Sequence, residues 1–184
     1  MEGITNRLPE SAIRWRNILK GRKMIFVILG TQKFQLNRLL QEMDELVGSG
    51  RISEEVFAQT GHSDYQPKHY SFVDFLDKPE FEKKIKESSL VITHSGVGSI
   101  ITAIQSQKPV IVYPRLVKYN EHVDDHQLEI AEAFKKKNFV LCCDEKEDLE
   151  DLIAEAKTHS FDVYHSSTAQ MLQVVGKFLG RNNG

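Results

Sequence analysis

The chain has 184 residues, a length that suits one domain with a full hydrophobic core better than two domains. Hydrophobic residues make up 40% and charged residues 27%, ordinary values for a soluble globular protein. The net charge of −2 excludes the global positive field typical of nucleic-acid binding. The longest apolar run, 24–29, is far shorter than the roughly 20 residues that span a bilayer.

Residues 1–23 differ in composition from the rest of the chain. Basic side chains there greatly outnumber acidic ones, and apolar residues are interspersed among them. This composition is compatible with a short amphipathic basic helix on an anionic membrane or a partner. Because the apolar stripe is weak, a disordered leader ahead of a domain at 24–184 is the simpler interpretation.

From residue 24 onward, strand and helix patterns alternate. Residues 24–29 form a continuous apolar run that ends at Gly30, as expected of a strand buried on both faces, and 35–47 carry apolar residues at helical spacing. Further strands are predicted at 55–60, 70–74, 90–93, 110–113 and 139–142. Further helices are predicted at 79–87, 98–106, 123–137, 146–157 and about 168–179.

Strands separated by helices predict βαβ units with right-handed crossovers. The fold class is therefore α/β, a Rossmann-like doubly wound parallel sheet of about six strands. Cys142 and Cys143 are neighbours in a predicted strand and face opposite ways, so buried free thiols are expected rather than a disulfide. Free thiols and the lack of an apolar leader fit the cytoplasm.

Ligands of such sheets bind where loops and helix N-termini meet at the carboxyl ends of the strands. Three polar segments fall there, at 30–32, 94–99 and 114–127. In the second, Gly96 and Gly98 allow a ligand to approach the backbone, and the next helix offers free N–H groups to an anion such as a diphosphate. A tight turn with serine caps explains the same residues equally well. The segment lacks both the GxGxxG spacing and the lysine of a Walker loop.

The third segment carries His122 and His126, which share a face of a predicted helix. A zinc site is disfavoured because Val123 stands where the zincin pattern needs glutamate, and no third ligand is evident. A cluster of donors and acceptors for hydroxyl groups, with Asn120 as a helix cap, fits better. A solvated acidic first turn is the alternative.

Together, these motifs resemble the glycosyltransferase family 28 C-terminal domain, the family that carries the donor-binding half of a GT-B glycosyltransferase as a separate chain. Its members include the catalytic subunit of the eukaryotic enzyme that adds the second N-acetylglucosamine to dolichol-linked oligosaccharide. They also include bacterial subunits from capsular and exopolysaccharide clusters that act with a membrane-anchored partner. The matching stretches are 25–31, 57–65, 93–100, 108–115 and 120–127.

The resemblance implies a metal-independent, cofactor-independent, inverting transfer from a UDP-sugar, with galactose favoured, to a polyprenyl-diphosphate-linked sugar. It implies a membrane-anchored, acceptor-binding partner subunit that holds the chain at the inner face of the membrane. Residues implied to bind the nucleotide and diphosphate are Gly30, Thr31, Gln32, Ser95, Gly96, Val97, Gly98 and Ser99. Residues implied to contact the donor sugar are Arg115, Asn120, Glu121, His122, Asp125, His126 and Gln127.

His94 is the candidate catalytic residue, because an imidazole can hydrogen-bond a phosphate or take a proton. The alternative is a histidine that only fixes its loop through backbone hydrogen bonds. One position departs from the family: Thr102 stands where several relatives have an acidic residue that binds the ribose, so that role is not transferred.

In single-chain relatives the base lies on the acceptor domain, and a two-domain transferase needs far more residues than this chain has. We therefore expect the isolated chain to bind UDP but to transfer little sugar without its partner. Two other functions stay open, namely a non-catalytic enhancer or scaffold subunit of such a transferase and a UDP-sugar epimerase.

Overall fold

Six parallel strands form one sheet in the order β3-β2-β1-β4-β5-β6. The computed structural model describes residues 24–165 and Gly176. The predicted leader at 1–23 lies outside the described residues, as does the predicted helix at 168–179 apart from Gly176. The strands are β1 (Met24–Ile28), β2 (Glu55–Gln59), β3 (Ser71–Val73), β4 (Leu90–Thr93), β5 (Val110–Val112) and β6 (Leu141–Cys142). The predicted doubly wound parallel sheet is confirmed.

Helices cover both faces of the sheet. They are α1 (Asn37–Gly48), α2 (Lys78–Glu87), α3 (Val97–Gln105), α4 (His126–Lys135) and α5 (Leu149–Ala156), with a short 3-10 helix at Val117–Tyr119. Apolar side chains of α1 and α5 pack on one face, and those of α2, α3 and α4 pack on the other. This double covering explains why β1 is apolar at every position, since all five of its residues are buried. None of the helices described in 24–165 is long and apolar enough to cross a bilayer.

The chain leaves β1 and β4 in opposite directions along the sheet. After β1 it crosses to β2 and β3 on one side, and after β4 it crosses to β5 and β6 on the other. Between two such strands the loops diverge and leave a crevice at the carboxyl edge, the usual ligand position of a doubly wound sheet. The loops after β1 and β4 therefore flank the candidate site.

Two of the predicted boundaries that differ from the structure do so because side chains and a turn compete with regular structure. The helix predicted at 123–137 starts only at His126, since Asp124 accepts a hydrogen bond from the His126 N–H (3.1 Å) and holds the preceding residues in a loop. The strand predicted at 139–142 is reduced to Leu141–Cys142. The left-handed Asn138 (φ 54°) turns the Phe139 N–H back onto the Phe134 carbonyl. The two cysteines are buried free thiols, as predicted.

The loop between β2 and β3 is fastened to α1 by a buried carboxylate. Asp44 accepts hydrogen bonds from the Tyr65 hydroxyl (2.7 Å) and from the backbone N–H groups of Lys68 (3.0 Å) and His69 (2.8 Å). Burial alone would raise the pKa of Asp44, but these hydrogen bonds outweigh it and lower the pKa below the ordinary value. The segment that leads into β3 is thereby fixed against α1.

Candidate functional site

The crevice between the loops after β1 and β4 is closed at its base by His94. The imidazole is only 5% exposed, and its Nδ1 lies 3.3 Å from the Ile28 carbonyl oxygen. It packs between two glycines: a Cβ on Gly30 would lie 2.7 Å from Nε2, and a Cβ on Gly96 would lie 2.6 Å from Cε1. Both positions therefore require glycine because of the histidine ring, a reason that the sequence did not reveal.

The imidazole of His94 is neutral at physiological pH. Burial and the nearby charge of Arg115 lower its pKa to about 3, although the hydrogen bond to the Ile28 carbonyl raises it. Because a carbonyl oxygen can only accept, Nδ1 carries the proton when this bond is made. These features favour the loop-fixing role over that of a proton acceptor, and the catalytic role of His94 stays a prediction.

The turn after β4 presents uncapped backbone donors. Gly96 is the N-cap of α3, and no side chain caps the first turn of the helix. Helices leave their first N–H groups without an intrahelical partner, so those of the turn at 97–99 are available to a ligand. The space around the Gly98 Cα is open, with no atom within 4 Å of an added Cβ. The alternative of a turn capped by serines does not describe this helix.

Ser95 adds a buried hydroxyl to the same turn. The residue is 1% exposed, and its Oγ has no hydrogen-bond partner among the described residues. Buried hydroxyls without a partner are costly, and they are commonly satisfied by water or a ligand. In the loop after β1, by contrast, Thr31 and Gln32 are exposed, and the Gln32 carbonyl accepts a hydrogen bond from Phe34 N–H (2.8 Å).

Residues predicted to contact the donor sugar separate into two groups in the structure. The inner group is buried, and all three of its side chains hydrogen-bond to the protein, although the Nη1 of Arg115 has no partner among the described residues: Arg115, Glu121 and Gln127. The outer group is exposed or half-buried along the loop after β5: Asn120, His122, Asp125 and His126. A sugar hydroxyl at the surface can reach the outer group directly. The hydrogen-bonded atoms of the inner group act on a ligand through the loops that they hold.

Gln127 joins the loops after β4 and β5. Its Oε1 accepts hydrogen bonds from the Arg115 N–H (3.0 Å) and, more weakly, from the Ser95 N–H (3.4 Å). One amide oxygen therefore fixes the start of the turn after β4 (residues 94–99, the glycine turn) relative to the end of β5. This coupling links the segment predicted to bind the diphosphate with the one predicted to bind the sugar.

Two side chains that the sequence analysis missed organise the loop after β5, Arg38 through the inner group and Asp124 through the outer group. Arg38 on α1 pairs with both carboxylate oxygens of Glu121 (3.1 and 2.9 Å). Asp124 contacts the Nδ1 of His122 (3.1 Å) and lies near the Nε2 of His126 (3.8 Å). Asp124 lay inside the quoted motif but had no assigned role, whereas Arg38 had no signal at all, because its partner is distant in sequence.

The two histidines do not form an evident metal centre. In the part of the chain that the structure describes, no group of three His, Cys, Asp or Glu side chains is arranged to hold a metal ion. Their nearest acidic neighbour, Asp124, also accepts a hydrogen bond from the His126 N–H at the start of α4. The absence of a metal requirement stays a prediction.

A parallel sheet with a crevice between its diverging loops and an uncapped helix N-terminus over that crevice defines a Rossmann-like domain of the GT-B C-terminal type. More specifically, residues 24–177 match the Glycosyltransferase family 28 C-terminal domain, and the chain belongs to this family.

Individual relatives agree with this assignment. The chain is 26% identical over 182 residues to the UDP-N-acetylglucosamine transferase subunit ALG13 of Candida albicans, covering 75% of this chain and 61% of that protein. It therefore spans less than two thirds of that relative. Among solved structures, the glycotransferase of kitacinnamycin superposes with a TM-score of 0.54 at 19% identity, over 84% of this chain and 37% of that one. A solution structure of ALG13 superposes at 0.52 and 20% identity, over 83% and 96%. Both structures share the fold.

Proposed function

We propose that the chain is the donor-binding subunit of an inverting glycosyltransferase that takes a sugar from a UDP-sugar. The observation that carries the proposal is the uncapped first turn of α3, with the buried, unpartnered Ser95 hydroxyl beside it. Backbone N–H groups at the positive end of a helix are a favourable site for a diphosphate. A hydroxyl donor without a protein partner adds a further contact to the same anion.

The same turn would assist the chemical step. In an inverting transfer, negative charge builds up on the diphosphate as the sugar departs, and fixed donors stabilise that charge. The acceptor hydroxyl must also lose a proton to a base. Since burial lowers the pKa of His94 to about 3 and so makes it a weak base, we assign the base to a partner subunit. This division agrees with the word subunit in the name of the Candida relative.

The acceptor and the donor sugar form the finer part of the proposal. We assign the acceptor as a polyprenyl-diphosphate-linked sugar, presented by a membrane-anchored partner, in capsular or exopolysaccharide synthesis. Galactose is the donor sugar that we favour on the family resemblance, and glucuronic acid and the N-acetylglucosamine named for the relative are the alternatives to compare. The exposed side chains of the loop after β5 would form hydrogen bonds with the sugar hydroxyls. No metal or cofactor is assigned to the reaction.

The purified full chain is expected to bind UDP in the presence of EDTA, measured by isothermal titration calorimetry. Sugar transfer is expected only after the co-expressed partner and a lipid-linked sugar acceptor are added, with a panel of UDP-sugars identifying the donor. A scaffold or enhancer subunit would give no heat with UDP. Conversion of a UDP-sugar into its epimer without acceptor would contradict the transferase assignment.

The variant Gly98→Ala tests whether the diphosphate binds at the first turn of α3. The added methyl group meets no protein atom, and alanine is the better helix former, so the thermal stability should stay equal or rise slightly. The methyl group nevertheless enters the space over the first turn of α3, and we expect UDP to bind about tenfold more weakly. Unchanged UDP affinity in this folded variant would place the diphosphate elsewhere.

A further inference from the structure

Arg115, at the end of β5, holds the loop that follows β1. Its guanidinium is fully buried, with Nη2 donating to the carbonyls of Leu29 (2.6 Å) and Phe34 (3.1 Å) and Nε donating to that of Gln35 (3.3 Å). These carbonyls stand on either side of the exposed tip at 31–33. One side chain thus ties both ends of the loop predicted to line the nucleotide site.

A second arginine, Arg38, connects the same two loops from the opposite side. Arg38 lies on α1, directly after the loop that Arg115 holds, and donates to the Pro114 carbonyl (3.1 Å) as well as to Glu121. Glu121 in turn accepts the Leu116 N–H (2.9 Å) and so shapes the loop after β5. Arg115, Arg38 and Glu121 form what we call the arginine clamp, which cross-links the loops after β1 and β5 in both directions.

Fastening a loop with Arg115 has a high free-energy cost, because a charged guanidinium must be buried. Its hydrogen-bond partners are backbone carbonyls rather than a carboxylate, and its Nη1 is buried without a partner among the described residues. Burial lowers the pKa of Arg115 to about 10, although the nearby charge of Glu121 raises it, so the group remains charged at neutral pH. A buried cation without a bonded anion is unfavourable for folding unless another role retains it.

The positive charge of Arg115 reaches the predicted diphosphate site. It is one of the causes that lower the pKa of His94, which packs between Gly30 and Gly96. Its backbone N–H also shares the Gln127 Oε1 with the Ser95 N–H at the start of the glycine turn. The guanidinium therefore lies behind the loop after β1, and its charge acts on His94, at the start of the turn after β4, through a low-dielectric interior.

We propose that Arg115 is a positioning residue for the diphosphate, which orders the loop at 30–33 and adds a fixed positive charge behind it, while Arg38 and Glu121 hold the opposite loop. This inference rests on the proposed function. It assigns to the inner group of polar residues an indirect role, in place of the direct sugar contact that the sequence suggested for Arg115. A purely structural cross-link is the competing interpretation.

The test compares how Arg115→Met and Arg115→Lys in the full chain bind UDP and uridine, by calorimetry and ligand-observed NMR respectively. Arg115→Met should weaken UDP binding about 10- to 100-fold, the loss expected when contacts involving a charged group are removed. Uridine, which has no phosphate, should bind within about twofold to threefold of wild type. Arg51→Met is the matched control, since Arg51 forms an exposed ion pair with Glu150 away from these loops, and it should change neither affinity.

Arg115→Lys keeps the charge but loses the fork that spans several carbonyls. We expect it to weaken UDP binding about 3- to 10-fold and to speed amide hydrogen exchange in the 29–36 segment. If Arg115→Met does not fold, this variant carries the test. Equal losses of UDP and uridine affinity, or Arg115 variants that behave as wild type, would overturn the positioning role alone. A wild-type chain that binds no UDP would instead overturn the proposed function.

Discussion

Replacing Gly30 with alanine is expected to lower the free energy of unfolding by about 2–5 kcal/mol. The backbone there has φ +76°, a left-handed conformation that costs an L-residue about 1–2 kcal/mol. The new Cβ would in addition overlap the ring of His94, and over-packing in a buried place costs about 1–3 kcal/mol. Urea denaturation of the variant and the wild type measures the sum.

Gly50→Ala separates the two contributions. Gly50 has nearly the same φ, +74°, but no atom lies within 4 Å of an added Cβ. This variant should therefore lose only the backbone part, about 1–2 kcal/mol. The difference between the two variants measures the contact with His94. If both variants lose the same stability, the ring moves aside freely and does not impose glycine at position 30.

A double-mutant cycle tests the same contact from the other side. His94→Ala removes the ring, so the extra cost of alanine at position 30 should disappear in the double variant, whereas the cost of Gly50→Ala should stay unchanged. The coupling energy is expected to be about 1–3 kcal/mol for the first pair and close to zero for the second. This result would assign the glycine requirement to packing inside the protein rather than to the approach of a ligand.

The order of elements could be predicted from the sequence because burial on both faces leaves a strong signal. Every residue of β1 is apolar and buried, and each helix shows an apolar stripe facing the sheet. Once strands and helices alternate, right-handed crossovers restrict the possible sheets to very few. The positions of the loops at the carboxyl edge then follow, so the region of the candidate site could be found as well.

The roles of individual polar residues in those loops could not be predicted. Arg115, Glu121 and Gln127 have the chemistry of ligand-binding groups, yet their polar atoms bond to backbone groups of neighbouring loops. Loops expose many carbonyl and N–H groups that must be paired when they are packed together. Sequence alone does not distinguish a side chain that pairs them from one that binds a ligand, because both need the same donors and acceptors.

The second large effect is a loss of folding stability on acidification, and it originates in the burial of His94. Between pH 7 and pH 5 we expect the wild type to lose about 2 kcal/mol more stability than a His94→Gln variant. In the unfolded chain this histidine titrates near its ordinary pKa of 6.5, whereas in the folded chain the pKa is lowered to about 3. The unfolded chain therefore takes up a proton in this window and the folded chain does not, so stability falls as the pH falls.

Comparison with His94→Gln removes the contributions of the other titrating groups. Arg115 and His122 both act on the imidazole, and both are retained in the variant. Urea denaturation at pH 7 and pH 5 gives the change in unfolding free energy with pH for each protein. A lower absolute stability of the variant does not affect the difference between these two changes. If the unfolding free energy changes equally with pH in both proteins, the folded chain accepts the proton on His94. The ring would then be available as a phosphate ligand or an acid–base group, and its description as a buried, neutral side chain at pH 5 would be wrong.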